Sequence, residues 1–316
     1  MVSFLTPRKK ILAERRLEMK RCHLIIAFAL LLCASMWAQD ETLNPTSYSF
    51  QEVNYPHDTF TQLLGINNEG VIAGYHNFAL NSGFRLVLPN NFATENAPLG
   101  AQGTQVLGIN NTNFTVGFYV DKNGKTHGFE RNPNTNLYAA IGFPGTVFNQ
   151  LLGVNDHGQA SGYYSNSINN STPDFPYIYD IGGQVFEVLY IPGAVGGAQA
   201  TGINNTQQVC GFYVDKAGKN HGFFLNFGAL TTLDFPGSTF TQALGLNNVN
   251  EVVGSYQDNA GASHGFVYNT VTKKYQSVDD PNGIGTTVVN GTNDKHQLVG
   301  FWGVAPVNIG FVATPK

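Results

Sequence analysis

Three histidines fall at one position of a recurring phrase, His-Gly-Phe: His127, His221 and His264. Imidazole is a common zinc ligand, and three such side chains can hold one ion. Six residues before each stands an acid, Asp121, Asp215 and Asp258, opening a D-x-x-G stretch. Carboxylates and carbonyls that converge from several turns bind calcium. The spacing argues against both. Equivalent positions of a repeat stand apart in space, whereas zinc needs its ligands within about 2.1 Å. One acid per turn, without the spaced Asp/Asn series of a calcium loop, reads as turn chemistry. The histidines then read as hydrogen-bonding a neighbouring turn. Neither a metal nor a cofactor is expected.

Nucleophilic catalysis finds no motif. There is no G-x-S-x-G elbow and no S-x-D-x-G-x-x-W box, and Cys210 sits where the other copies of the repeat carry Ala73, Val116, Ser161, Val253 and Val299. It reads as a small core residue, and no catalytic residue is assigned. Asp58, Asp174, Asp279 and Asp280 lie on loops at one end of the repeats. A pair of them meeting across copies would suit a glycan hydrolase or lyase.

Two other series suit binding. Gln62, Gln105, Gln150, Gln199 and Gln242 stand three residues before a repeated glycine, with Val288 in the sixth copy. Around a central channel they would form a collar of amides, either reading hydroxyls and carbonyls of a ligand or satisfying one another between copies. Tyr119, Tyr164, Tyr213, Tyr256 and Trp302 follow a second repeated glycine by two residues, with His76 in the first copy. Flat amphipathic rings near amides suit sugar faces; wedged between adjacent copies they would be packing. The two series together are the candidate ligand site, expected at one rim of the channel.

The elements that carry these residues recur. Gly-x-Asn-Asn/Asp occurs at Gly65, Gly108, Gly153, Gly202, Gly245 and Gly291, and nine residues after each stands another glycine: Gly74, Gly117, Gly162, Gly211, Gly254 and Gly300. Each copy reads as four strands: an inner one such as "TFTQLLGIN", a second after an Asn-led turn, a third carrying Gly-Phe, and an outer one ending near proline, which cannot continue a ladder. No segment has helical period. The first strand, "SYSFQEVNYP" from Ser47, matches an outer strand, and the last, "NIGFVATP", matches a third strand. The first would complete the last copy, so that a ring closes without open repeat ends. The paired glycines should let strands or copies approach closely. The expected fold is all-β: a six-bladed β-propeller of four-stranded blades, closed by the N-terminal strand.

Composition sets the address. Residues 1–38 read as a signal peptide: basic residues from Arg8 to Arg21, an apolar run from Leu24 to Cys33, then a cleavage site after Ala38, with Met19 as an alternative start. The apolar run is shorter than the ~20 residues of a membrane span, and none is expected after cleavage. Residues 39–45 form a short linker and 46–316 a single domain. Seven of the 17 basic and two of the 21 acidic residues precede residue 39, leaving ten basic and nineteen acidic. That balance argues against nucleic acid, whose phosphates demand a basic surface. With Cys22 and Cys33 removed, Cys210 has no internal partner, so the fold rests on its core. The expected location is secreted, periplasmic or at the cell surface.

"GINNTNFTVGFYVDKNGKTHGF" and "LGLNNVNEVVGSYQDNAGASHGF" resemble the bacterial extracellular repeats called HAF, here with His-Gly-Phe for His-Ala-Phe. Copies one and six keep only Gly-Phe, and copy three loses the tripeptide. The resemblance covers about residues 59–314. It implies an exported bacterial protein and no catalytic residue. Three functions are therefore expected in order: a non-enzymatic binding protein for a polysaccharide or cell-envelope glycan, a glycan-active hydrolase or lyase, and a scaffold for a surface protein. Copy three also carries a longer connection, 163–176, expected to overhang the candidate rim.

Overall fold

The computed structural model describes residues 47–167 and 173–316. The signal peptide and linker, and residues 168–172 of the long connection, lie outside the described residues. Residues 44–316 cluster as one compact unit. Among the described residues it is all-β, with twenty-four strands and no helix long and apolar enough to cross a membrane. Strand β1 spans Tyr48–Val53. The repeat copies then supply β2–β5 (Thr61–Thr94), β6–β9 (Thr104–Ile141), β10–β13 (Phe148–Val188), β14–β17 (Ala198–Leu233), β18–β21 (Phe240–Val278) and β22–β24 (Thr287–Pro315).

The arrangement is that of a β-propeller, but the sheets are not the six separate four-stranded ones expected. Four sheets have four strands, and β6–β13 form one eight-stranded sheet. The join is a single parallel pair, Phe148 with Thr126, between β10 and β8. Every other pairing inside that sheet is antiparallel and follows the order of a copy. The chain ends meet in one sheet of order β1-β24-β23-β22, where Tyr48 pairs with Pro315 and Val53 with Gly310.

The repeated glycines have separate jobs. In every copy the innermost strand carries a bulge one residue before the first glycine, at Leu64, Leu107, Leu152, Thr201, Leu244 and Asn290. The extra residue turns its side chain into the channel and brings the following glycine against the next copy. A Cβ on Gly245 would lie 2.7 Å from Asn290 O and 3.1 Å from Gly291 Cα. One on Gly153 would lie 2.9 Å from Gly202 Cα, and one on Gly291 would lie 3.3 Å from Gly65 Cα, closing the circle. The second glycine serves the blade interior. A Cβ on Gly211 would overlap Gln199 O and sit 2.7 Å from the ring of Phe223. The aromatic of the third strand thus lies flat across the second. Phe84, Phe129, Tyr177, Phe223, Phe266 and Phe311 all occupy this place, fully buried. Copy three, which lacks the tripeptide, fills it with Tyr177.

Core clusters form between neighbouring copies. Val253 and Val267 of copy five pack with Val289, Leu298 and Phe311 of copy six. Leu63, Ile72 and Phe84 of copy one pack with Val299 and Val312 of copy six and with Val53 of β1. Outer strands such as β5 and β13 are largely exposed. Cys210 lies in a core cluster with Phe224 and Tyr256, and burial pushes its thiol pKa up to about 12. The thiolate is the reactive form. The mature chain should therefore give no thiol signal with a chromogenic disulfide reagent in buffer and one equivalent in denaturant; fast native labelling would contradict the buried placement.

Candidate functional site

The inner strands line a channel with two unlike ends. At one end the six Asn-led turns close on one another. The first asparagine of each caps its own turn: Asn204 Oδ1 accepts from Thr206 N (3.1 Å) and Gln208 N (3.0 Å). The fourth turn residue has φ near +60 to +80° in all six, at Gly70, Asn113, Gly158, Gln207, Asn250 and His296. Gln207 and His296 adopt it although neither is Gly or Asn. The Nδ2 of the same asparagine donates to the carbonyl of the next: Asn67 to Asn110, Asn110 to Asn155, Asn155 to Asn204, Asn204 to Asn247, Asn247 to Asn293, and Asn293 back to Asn67, all at 2.9–3.1 Å.

A second circle runs through the next residue of each turn. Its backbone N–H donates to the side-chain oxygen of the next copy, from Asn68 to Asn111 and onward through Asp156, Asn205, Asn248 and Asp294 back to Asn68. Four positions are asparagine and two, half a turn apart, are aspartate. Asp156 Oδ2 accepts from Asn111 and Asn205 Nδ2, each at 2.7 Å; Asp294 Oδ2 accepts from Asn68 (2.7 Å) and Asn248 (3.0 Å). Four amide donors are matched by two carboxylates, so this end is satisfied internally. It is a clasp.

Burial alone would raise the Asp156 pKa, but hydrogen bonds from Asn205 and Asn111 outweigh it, and the carboxyl lies below its ordinary value. A depressed folded-state pKa gives stability that is present above the unfolded value and lost as pH falls through the folded one. Asp156→Asn sets an N–H2 against two others and should cost about 1–3 kcal/mol near pH 7. Its deficit against the wild type should shrink as pH falls below about 4, the ordinary carboxylate value. Urea melts of both proteins across pH check this; a pH-independent deficit would rule out the carboxylate's role.

At the other end the channel widens into a cavity of ≈ 260 Å³. Gln105, Gln150 and Gln199 line it with Phe118, Phe212, Thr201, Asn290 and the bulged leucines 64, 107, 152 and 244. All of these are uncharged. Three of the five collar glutamines are therefore brought together; Gln62 and Gln242 do not line the cavity. The amides do not satisfy one another. Their Nε2 atoms donate to the start of the third strand in the preceding copy: Gln62 to Asn308 (3.0 Å), Gln105 to Asn81 (2.7 Å), Gln199 to Asp174 (2.6 Å) and Gln242 to Asn220 (3.4 Å).

The aromatic series lies elsewhere. Tyr119 pairs with Thr104, one residue from Gln105 and at the same height, but the side chains of adjacent strand residues point to opposite faces. Tyr119, Tyr213 and Tyr256 are buried between copies, stacked on His127, His221 and His264 with ring centroids 5.1 Å apart. Tyr164 stacks on Phe143, Tyr256 on Phe235 and His76 on Tyr55. Trp302 is half-buried against Gly283. The aromatics beside the collar are one residue earlier: Phe118 and Phe212 line the cavity, while Tyr75 and Tyr163 hydrogen-bond to Gln62 and Gln150. Strand alternation carries this signal, since only the residue next to the second glycine shares the channel face.

The remaining polar residues are engaged in local pairs and small clusters. His127 and His221 meet Asp121 and Asp215 at 3.1 and 3.3 Å, and His264 meets Asp279 at 3.0 Å. Asp121, Asp215 and Asp258 each accept two backbone N–H groups of their own turns. Among the described residues no group of three His, Cys, Asp or Glu could hold a metal ion. Of the four loop acids, Asp58 bonds His76 (2.8 Å), Asp174 bonds Gln199 and Asp279 bonds His264. Asp280 caps Asn282 N (2.9 Å), with its pKa raised by burial. None of the four lines the cavity.

No protein-family model matches the chain, and no curated protein matches it. Among solved structures, AofleA from Arthrobotrys oligospora superposes with a TM-score of 0.54 at 12% identity, over 84% of this chain and 86% of that one. TolB from Acinetobacter baumannii gives 0.53 at 10% identity, over 69% of this chain and 54% of TolB. The match thus spans about half the length of TolB. Identities this low show a shared fold and nothing finer.

Proposed function

We propose that the chain is an exported, non-catalytic binding protein of the HAF-repeat type, built as a six-bladed propeller, whose ligand is an uncharged glycan held at the wide mouth of the channel. Six blades are supported by the six Asn-led turns and six inner strands around one channel, with the eight-stranded sheet counting as two blades bridged at one residue pair. Export rests on the leader composition of residues 1–38. The ligand reading is carried by one observation: amides and two phenylalanines share an uncharged cavity at the channel end where, among the described residues, the polar groups do not close in a ring. Ligand sites combine apolar walls with a few placed polar groups in this way.

Calorimetry of residues 39–316 against cello-, xylo-, laminari- and malto-hexaose tests the reading. Saturable binding to one of them, weakened at least tenfold by Phe212→Ala, is expected. No heat with any of the four, or an unaffected variant, contradicts it. A protein partner is favoured instead by the exposed Phe78 and Leu80 of copy one and Val304 and Val307 of copy six. Their connections adjoin, since Phe60 bridges Asn308 and its ring lies 5.3 Å from Phe78.

A further inference from the structure

The five collar glutamines are not equivalent. Four donate their Nε2 to Asn308, Asn81, Asp174 or Asn220, the residue that opens the third strand of the preceding copy. For Gln150 the preceding copy offers Lys125 and Thr126 at that place, neither an amide nor an acid. Gln150 Nε2 therefore has no partner among the described residues, although the residue lines the cavity. Its carbonyl is held: the Tyr163 hydroxyl donates to Gln150 Oε1 at 2.9 Å. An amide whose oxygen is pinned has its nitrogen pinned too. Copies two and four carry phenylalanine at the equivalent of Tyr163, Phe118 and Phe212, so this clamp is particular to copy three within the cavity.

We propose that Gln150, oriented by Tyr163, is the donor with which the mouth reads an acceptor oxygen of its ligand, a hydroxyl of an uncharged sugar. The assignment rests on the mouth being the ligand site, and it adds the direction of the hydrogen bond. Gln105, one copy away, spends its Nε2 on Asn81 and keeps Oε1 as an acceptor. A donor and an acceptor side by side match neighbouring hydroxyls, each of which both gives and takes a proton. The phenylalanine rings on either side supply the apolar face that a pyranose ring covers. Tyr163 touches no ligand in this account; it is a positioning residue.

The test compares the tightest-binding hexaose with its singly deoxygenated analogues. A site built to hydrogen-bond a hydroxyl rejects the analogue that lacks it. Wild type should bind one deoxy analogue at least tenfold more weakly than the parent. In Gln150→Leu that ratio should fall to about one, with parent affinity down about tenfold; Tyr163→Phe should reduce the ratio part-way. If Gln150→Leu does not fold, as judged by its melt, Gln150→Met removes the same donor at similar length and leaves no strong acceptor in its place, and should lower the ratio likewise. Should these variants keep the wild-type ratio while Phe212→Ala loses binding, the donor assignment is wrong and the mouth site stands. If no hexaose binds wild type, or Phe212→Ala binds as wild type does, the mouth reading falls and the donor assignment falls with it.

Discussion

Deleting residues 47–56 from the mature chain is expected to remove most of its stability, on the order of the 5–15 kcal/mol that holds a domain folded. Strand β1 is the outer strand of the last sheet, and its register with β24 runs without interruption from Tyr48 to Val53. Val53 packs against Leu63, Phe84 and Val312, and Tyr48 against Leu298 and Ala313. Its loss bares the edge of β24 and the face shared by copies six and one. Unpaired edges and exposed apolar faces associate, so the deletion variant should aggregate or melt without cooperativity. A synthetic peptide of residues 44–56 should restore a cooperative melt when added in excess. A monomeric deletion variant that melts sharply at the wild-type temperature would contradict closure by this strand.

Asn204→Asp is expected to cost about 2–4 kcal/mol, more than a loop substitution of equal size. The carboxylate keeps the oxygen that caps Thr206 N and Gln208 N. It places a second oxygen where Nδ2 donated to Asn247 O (3.1 Å) and Gln208 Oε1 (2.8 Å), in a residue that is 5% exposed. Facing acceptors in a buried site repel, and both lose their partner. Asn134→Asp, the same change on an exposed turn side chain, is the matched control, whereas Asn205→Asp would set a second carboxylate against Asp156 Oδ2. Denaturant melts of the two variants should separate them clearly. Equal, small losses would mean that the inter-copy bond contributes little and that Asn204 serves only its own turn.

The two leading positions of the turn explain what the repeat discloses. The first turn position is asparagine in all six copies because it must accept within its turn and donate to the next. The second tolerates aspartate in copies three and six because two carboxylates are what four amides need. The turn chemistry was legible from Asn-Asn/Asp alone; the circles were not, since their bonds span 43 to 49 residues, or 226 where the ring closes. The offset between paired glycines announced close approach, which the bulges and the buried Phe223-type rings explain. The aromatics that line the channel, Phe118 and Phe212, stand one residue before Tyr119 and Tyr213. Tyr119 and Phe118 are adjacent, equally aromatic and at one height, and only the face of the strand decides which reaches the channel. The single parallel pair that joins β8 to β10 has no signature in either strand. The difference among the glutamines was hidden for another reason: it depends on Lys125 and Thr126 in the neighbouring copy, far from Gln150 in sequence.

The most direct measurement of the proposed site is amide hydrogen exchange of residues 39–316, alone and saturated with the hexaose that binds. The account predicts slowed exchange at the starts of β6, β10 and β14 and at the ends of β7, β11 and β15, around Gln105, Gln150, Gln199 and Phe212. The Asn-led turns at the opposite end should exchange as before. Protection confined to those turns, or to the outer strands, would contradict a ligand at the wide mouth.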